Sequence, residues 1–147
     1  MSDDETLKLW DTTGELLTDF VGHTDWVNSV VFSPDGNKIL TASKDNTAKI
    51  WKITGELLAS FEGHTDLVNS AVFSFNARQI LTASKDTTAK LWNISGEMIT
   101  EITGHTKELS LAIFSPDGSQ ILTASKDNTA KLWNIKGEEL TEFLGHT

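Results

Sequence analysis

The sequence predicts an all-β fold assembled from repeated four-stranded units. Three observations carry this. Gly-His-Thr occurs at 22–24, 63–65, 104–106 and 145–147, always at the same step along the chain. Inside each interval a second string returns: LTASKDNTAKIW over 40–51, LTASKDTTAKLW over 81–92 and LTASKDNTAKLW over 122–133. No stretch keeps a helical period, and short apolar runs are separated by turn residues. Fixed self-similarity at this length is the mark of a repeat architecture, so it decides the fold before any single residue does.

The first repeat shows how each unit is built. Residues 26–33 are rich in Val and Phe and read as a strand. Pro34-Asp35-Gly36 is a strong β-turn signal. A second strand follows over 38–43, then a turn at Lys44-Asp45-Asn46. The third strand is 47–52, with Ala48 and Ile50 alternating against Lys49 and Trp51. Thr54-Gly55 leads into the fourth strand, 56–61. Three full repeats are expected over 22–62, 63–103 and 104–144, and 145–147 opens a further one. Residues 1–21 read as half a unit, with two strands over 6–11 and 15–20. In the second repeat Phe75-Asn76-Ala77 replaces Pro-Asp-Gly, so that turn is less well specified.

Composition narrows the function classes. The 147 residues are 38% hydrophobic and 22% charged, which suits one globular domain. The apolar runs are too short to span a membrane, and the acidic start has no secretory pattern. With no cysteine, disulfides and thiolate metal sites are excluded, which fits a reducing cytoplasm. A formal charge of −9 and a single arginine, Arg78, argue against nucleic acid as a partner.

The recurring Gly-His, the Phe-Ser-Pro-Asp-Gly at 32–36 and 114–118, and the Asp six residues before a Trp resemble the WD40 repeat family along the whole chain. Only Trp10-Asp11 keeps the family's closing pair; Trp51-Lys52, Trp92-Asn93 and Trp133-Asn134 depart from it. The resemblance implies β-propeller blades of four antiparallel strands, about three and a half per chain, and so an incomplete ring. It also implies a hydrogen-bonded tetrad in each blade: His23, Thr41, Asp45 and Trp51; His64, Thr82, Asp86 and Trp92; His105, Thr123, Asp127 and Trp133. An Asp can accept from a His ring nitrogen, and a Thr hydroxyl can join the other nitrogen to a Trp indole, which only donates. Family members often bind partners on the face that carries the loops before the first strand and between the second and third. Matched by position, the candidates there are Trp26, Asn28 and Lys44; Leu67, Asn69 and Lys85; and Glu108, Ser110 and Lys126. Lys44, Lys85 and Lys126 could form a small basic ring attractive to acidic peptide tails, although solvated turn lysines are the more usual outcome.

The same His and Asp residues could be read as catalytic or metal-binding. One His per repeat, at that regular step, places them in different blades, whereas a zinc site needs three or four converging ligands. There is no paired-His motif, phosphate loop or nucleophile elbow. The reading is therefore a non-enzymatic scaffold for protein or peptide partners, with no cofactor and no metal. Four full repeats would need a longer chain than this one, so one blade is expected to lack its inner two strands. Uncovered blades are costly, which leads to the expectation of a ring closed by self-association, a homodimer ahead of a trimer. The alternative is a self-assembling fragment or evolutionary intermediate whose only partner is itself.

Overall fold

Fourteen strands and no helix make up residues 6–145, the part that the computed structural model describes; residues 1–5 of the N-terminal half-unit and 146–147 of the last Gly-His-Thr lie outside it. Strands β1 (Leu7–Trp10) and β2 (Leu16–Phe20) form a two-stranded sheet. The first full blade is β3 (Val27–Phe32), β4 (Lys38–Ser43), β5 (Ala48–Lys52) and β6 (Leu57–Phe61). The second is β7 (Val68–Phe73), β8 (Gln79–Ser84), β9 (Ala89–Asn93) and β10 (Met98–Ile102). The third is β11 (Leu109–Phe114), β12 (Gln120–Ser125), β13 (Ala130–Asn134) and β14 (Glu139–Phe143). All neighbours are antiparallel and in sequence order, so each blade is a meander. The result is an incomplete β-propeller.

Blades stack face to face, with the first strand of one packed on the second strand of the blade before it. Leu40, Ala42, Ala48 and Ile50 of the first blade meet Ala71, Ile80 and Trp92 of the second. Leu81, Ala83 and Ala89 meet Ala112, Ile121 and Trp133 of the third. Leu7, Leu9 and Phe20 of the two-stranded sheet cover Ile39 and Trp51. Small alanines on one face receive a large indole from the other, which brings the sheets close. The expected alternation of Ala48 and Ile50 against Lys49 and Trp51 therefore does not separate core from solvent: all four are buried, because neighbours cover both faces. The Lys49 ammonium is kept hydrogen-bonded by donating to Ser60 Oγ at 2.9 Å. Lys90 and Lys131, at the same place in the next blades, pair with Glu101 at 2.6 Å and with Glu139 and Glu142 at 2.9 and 3.1 Å.

Each first strand carries a bulge at the same point, between Val27 and Ser29, Val68 and Ser70, and Leu109 and Leu111. A bulge leaves one residue out of the ladder and re-aims its side chain. The bulged residues are Asn28, Asn69 and Ser110.

The second blade holds the most strained turns. Ala77 has φ 57°, close to the 74° of Gly36 and Gly118, and Asn76 Oδ1 accepts from Ser74 Oγ and Arg78 N at 2.8 and 3.0 Å. Asp35 does the same from Ser33 and Asn37, so this turn keeps its geometry without Pro-Asp-Gly. Thr87 has φ 75° where Asn46 and Asn128 sit at 71° and 70°. Asn tolerates that region, whereas a β-branched residue is an outlier there, at roughly 1–2 kcal/mol. Thr87→Asn is expected to stabilise the chain by about 1 kcal/mol and raise the melting temperature by about 3 °C, read by circular dichroism. A lower melting temperature would contradict the assignment of strain.

Candidate interaction face and the buried networks beneath it

Under each loop lies a chain of hydrogen bonds that runs through the blade. In the second blade Trp92 Nε1–H donates to Thr82 Oγ1 at 2.9 Å, Thr82 Oγ1 lies 2.7 Å from His64 Nε2, and His64 Nδ1 lies 2.7 Å from Asp86 Oδ2. The first blade repeats it with Trp51–Thr41 at 3.0 Å, Thr41–His23 at 2.6 Å and His23–Asp45 at 2.7 Å. The third has Trp133–Thr123 at 2.8 Å, Thr123–His105 at 2.7 Å and His105–Asp127 at 2.8 Å. An indole only donates and a carboxylate only accepts, so the chain runs from Trp to Asp, with His Nδ1–H donating to the carboxylate. Thr41, Thr82 and Thr123 are fully buried, and each indole stands edge-on to its His ring.

The sequence reasoning missed several partners of the carboxylate. Asp86 Oδ2 also accepts from the Thr65 amide at 3.1 Å, and Oδ1 from the amide and hydroxyl of Thr88 at 2.9 and 2.7 Å. Thr47 and Thr129 serve Asp45 and Asp127 alike. The signal was available as Asp-x-Thr in every repeat, since Asp bonds readily to groups two residues on. Burial disfavours the charged form of Asp45 and Asp86, yet the bonds from His and Thr outweigh it and hold both well below the usual carboxylate range. Asp127 is lowered against the same opposition, by Thr129 first and then His105.

The network fixes the loops above it. Backbone bonds from Lys44 N to Trp26 O, Lys85 N to Leu67 O and Lys126 N to Glu108 O, 2.8–3.0 Å long, put those residues side by side on the loop face. Trp26 is 39% exposed, and Lys44 Nζ lies 4.0 Å from its ring centroid, a cation–π contact. Lys126 forms an ion pair with Glu108. Lys85 has no ion pair among the described residues and lines a shallow groove with Thr87, Lys107, Glu108 and Lys126. Lys44 thus rests on the Trp26 ring and Lys126 on the Glu108 carboxylate, while Lys85 faces the groove.

Asn28 and Asn69 are half-buried and turned sideways. Their Nδ2 groups donate across the blade seam to Val68 O at 3.0 Å and Leu109 O at 2.7 Å, because the bulge turns them toward the neighbour. Ser110, at the same place in the third blade, stays exposed. Among the described residues no His, Asp and Glu side chains gather as they would around a metal ion, and no helix is long and apolar enough to cross a membrane.

Blades of this order, each with a Trp–Thr–His–Asp chain beneath a variable loop face, define a propeller-type scaffold. Comparison with known proteins places the chain further: the profile described as WD domain, G-beta repeat matches residues 14–52, 55–93 and 96–134, and the chain belongs to that family. Each matched span runs from the last strand of one sheet through the first three of the next, so every repeat stitches two sheets together. Among curated relatives, nuclear distribution protein nudF 1 of Talaromyces marneffei is 48% identical over 42 residues, 29% of this chain and 9% of its own length. Nuclear distribution proteins PAC1 of Coccidioides posadasii and Tuber melanosporum are 43% and 45% identical over 42 residues, with the same shares. The similarity thus spans about a tenth of these relatives' length, one repeat.

Proposed function

We propose that the chain is a non-enzymatic protein–protein interaction scaffold that holds protein or peptide segments on its loop face. The observation that carries this is one backbone seat occupied by three different side-chain pairs: Trp26 with Lys44, Leu67 with Lys85, and Glu108 with Lys126. An unchanging frame with a variable surface suits recognition, and an exposed Trp is a strong anchor. The polar groups that could do chemistry are spent inside the blades, each on a named neighbour. The negative charge disfavours nucleic acid, and the lack of cysteine suits the cytoplasm. Ring closure by self-association is part of the same reading. Two copies give six full blades and two two-stranded sheets, and three give nine and three, while propellers hold about four to eight blades, which favours the homodimer.

The scaffold reading is tested with peptides selected from a displayed random library against the chain. Trp26→Ala is expected to weaken the selected peptides at least tenfold, about 1.4 kcal/mol, with an unchanged melting temperature. Equal affinity of both forms for every selected peptide would dispose of the loop-face site.

A further inference from the structure

We propose that the groove between the loops of the second and third blades binds the side-chain carboxylates of a short acidic step in a partner peptide, held by Lys85 and Lys107. This deepens the loop-face reading, on which it rests, by naming what the partner carries there.

The three repeats act as controls for one another. The string LTASKD is the same in all of them, so Lys44, Lys85 and Lys126 start from matching backbone places. What changes is the loop bonded to each lysine. It reads Asp25-Trp26 and Asp66-Leu67 in the first two repeats and Lys107-Glu108 in the third, which reverses the sign of the first residue. Asp25 and Asp66 serve their own loops: each carboxylate accepts from the next amide, Trp26 N at 2.7 Å and Leu67 N at 2.8 Å. Lys107 has no acceptor to offer the Glu108 amide. The exchange therefore removes a carboxylate, adds an ammonium group and takes from an amide its local acceptor, all in one loop.

That loop forms one wall of the groove lined by Lys85, Thr87, Lys107, Glu108 and Lys126, which offers about 420 Å³, a size usual for small-ligand sites. The walls belong to different blades, and Asn69 Nδ2 ties the blades together just below by donating to Leu109 O at 2.7 Å. One carboxylate is already in place, since Glu108 pairs with Lys126, and it shows which chemistry the groove accepts. Lys85 and Lys107 are exposed and have no ion pair among the described residues. Three ammonium groups thus face one carboxylate, in a chain whose net charge is −9. Like charges held close repel, and an incoming carboxylate relieves that repulsion. The acidic remainder of the chain repels a long acidic run, so a short step suits the groove best. Leu67 lies beside Lys85, through the bond from Lys85 N to Leu67 O at 3.0 Å, and gives an apolar neighbour for the residue that follows the acidic step. The matching place between the first and second blades has Lys44 on the Trp26 ring and Asp66 in the loop, so it lacks this excess.

Two rhodamine-labelled, C-terminally amidated peptides serve as probes, Gly-Glu-Glu-Leu-Leu-Gly and its Gln-Gln counterpart, read by fluorescence anisotropy. At low salt the Glu peptide is expected to bind about fivefold more tightly or better, the yield of two exposed ion pairs. High salt is expected to remove the difference. Lys107→Asp installs the residue that both other repeats carry, so the loop accommodates it, and it is expected to erase the preference. Lys136→Asp makes the same charge change in the turn at the opposite end of the third blade and is expected to keep it. Equal binding of the two peptides, a preference that survives Lys107→Asp, or one that Lys136→Asp erases as fully overturns the site. Absence of binding by either peptide at millimolar concentration overturns it too. A phosphoserine peptide bound more tightly than the Glu peptide would assign the groove to phosphate and overturn the carboxylate assignment. Peptides that bind equally but are weakened by Trp26→Ala would keep the loop-face reading and remove only the acidic site.

Discussion

Asp86→Ala is expected to destabilise the chain by about 3 kcal/mol, the usual cost of removing one partner from a buried pair. For a chain of this size that lowers the melting temperature by roughly 10 °C. The size follows from what is left behind. His64 Nδ1, the Thr65 amide and both Thr88 groups lose their acceptor together. A stranded buried donor costs about 1–3 kcal/mol, and water can reach only those at the loop surface. Asp86 belongs to the central blade, which both other full blades use as their wall, so a loosened His64 disturbs two seams. Asp86→Asn keeps an acceptor oxygen and is expected to cost about half as much. Trp92→Phe leaves Thr82 short of a donor and also opens a gap in the seam that the indole fills, so it is expected to cost more than Asp86→Asn. Thermal unfolding of the three variants checks the order, and equal melting temperatures would mean that the hydrogen-bonded chain is incidental to stability.

The same carboxylates set the response to acid. Folded Asp45, Asp86 and Asp127 lie below the ordinary carboxylate value, so their contribution is complete above the unfolded pKa, about 3.9. As pH falls below that value the unfolded chain takes up protons that the folded chain refuses, and stability drops toward the lower folded values. Melting temperature should therefore be nearly flat from pH 7 to about 5 and fall steeply below about 4. Asp86→Ala removes one of the refusing groups, so its curve should fall less steeply.

Much of this fold was legible because turns punctuate it. Pro34-Asp35-Gly36 and Lys44-Asp45-Asn46 bracket the second strand, and Lys38–Ser43 is the same in sequence reading and structure. The residues of the buried chains were legible through the resemblance to the WD40 family, which the complementary donors and acceptors of Trp, Thr, His and Asp support. What periodicity could not show is what one residue of slippage does. The bulge after Val27 is invisible to a pattern of alternating residues, yet it makes Asn28 a brace between blades. Burial on both faces was hidden for a related reason: alternation tells which side a residue faces, not whether that side meets water, and Lys49 reads as solvent-facing until the next blade is in place. Strain at Thr87 is a backbone property, and only its departure from Asn46 and Asn128 hinted at it.

Gly104→Ala is expected to cost about 3 kcal/mol, and the seam explains why so small a change does so much. Gly104 has φ 144°, where a side chain is strained, and its β-carbon would stand 2.9 Å from Trp133 Cη2. The indole cannot slide away freely, because its Nε1 is held by Thr123 at 2.8 Å and its ring lies against the second blade. Overpacking of that kind costs about 1–3 kcal/mol on top of the backbone term. Gly118→Ala separates the two terms: it has φ 74° and open space, so only the backbone cost of about 1 kcal/mol should appear. Ala77 already occupies that turn position in the second blade, which shows the lesser strain to be tolerated. Trp133→Phe shortens the ring that the new methyl would strike. In that background Gly104→Ala should approach the Gly118→Ala value, a coupling readable by a double-mutant cycle of melting curves. If the two costs simply add, the glycine is kept for its backbone alone, and the indole seat on which the blade seams depend has been misread.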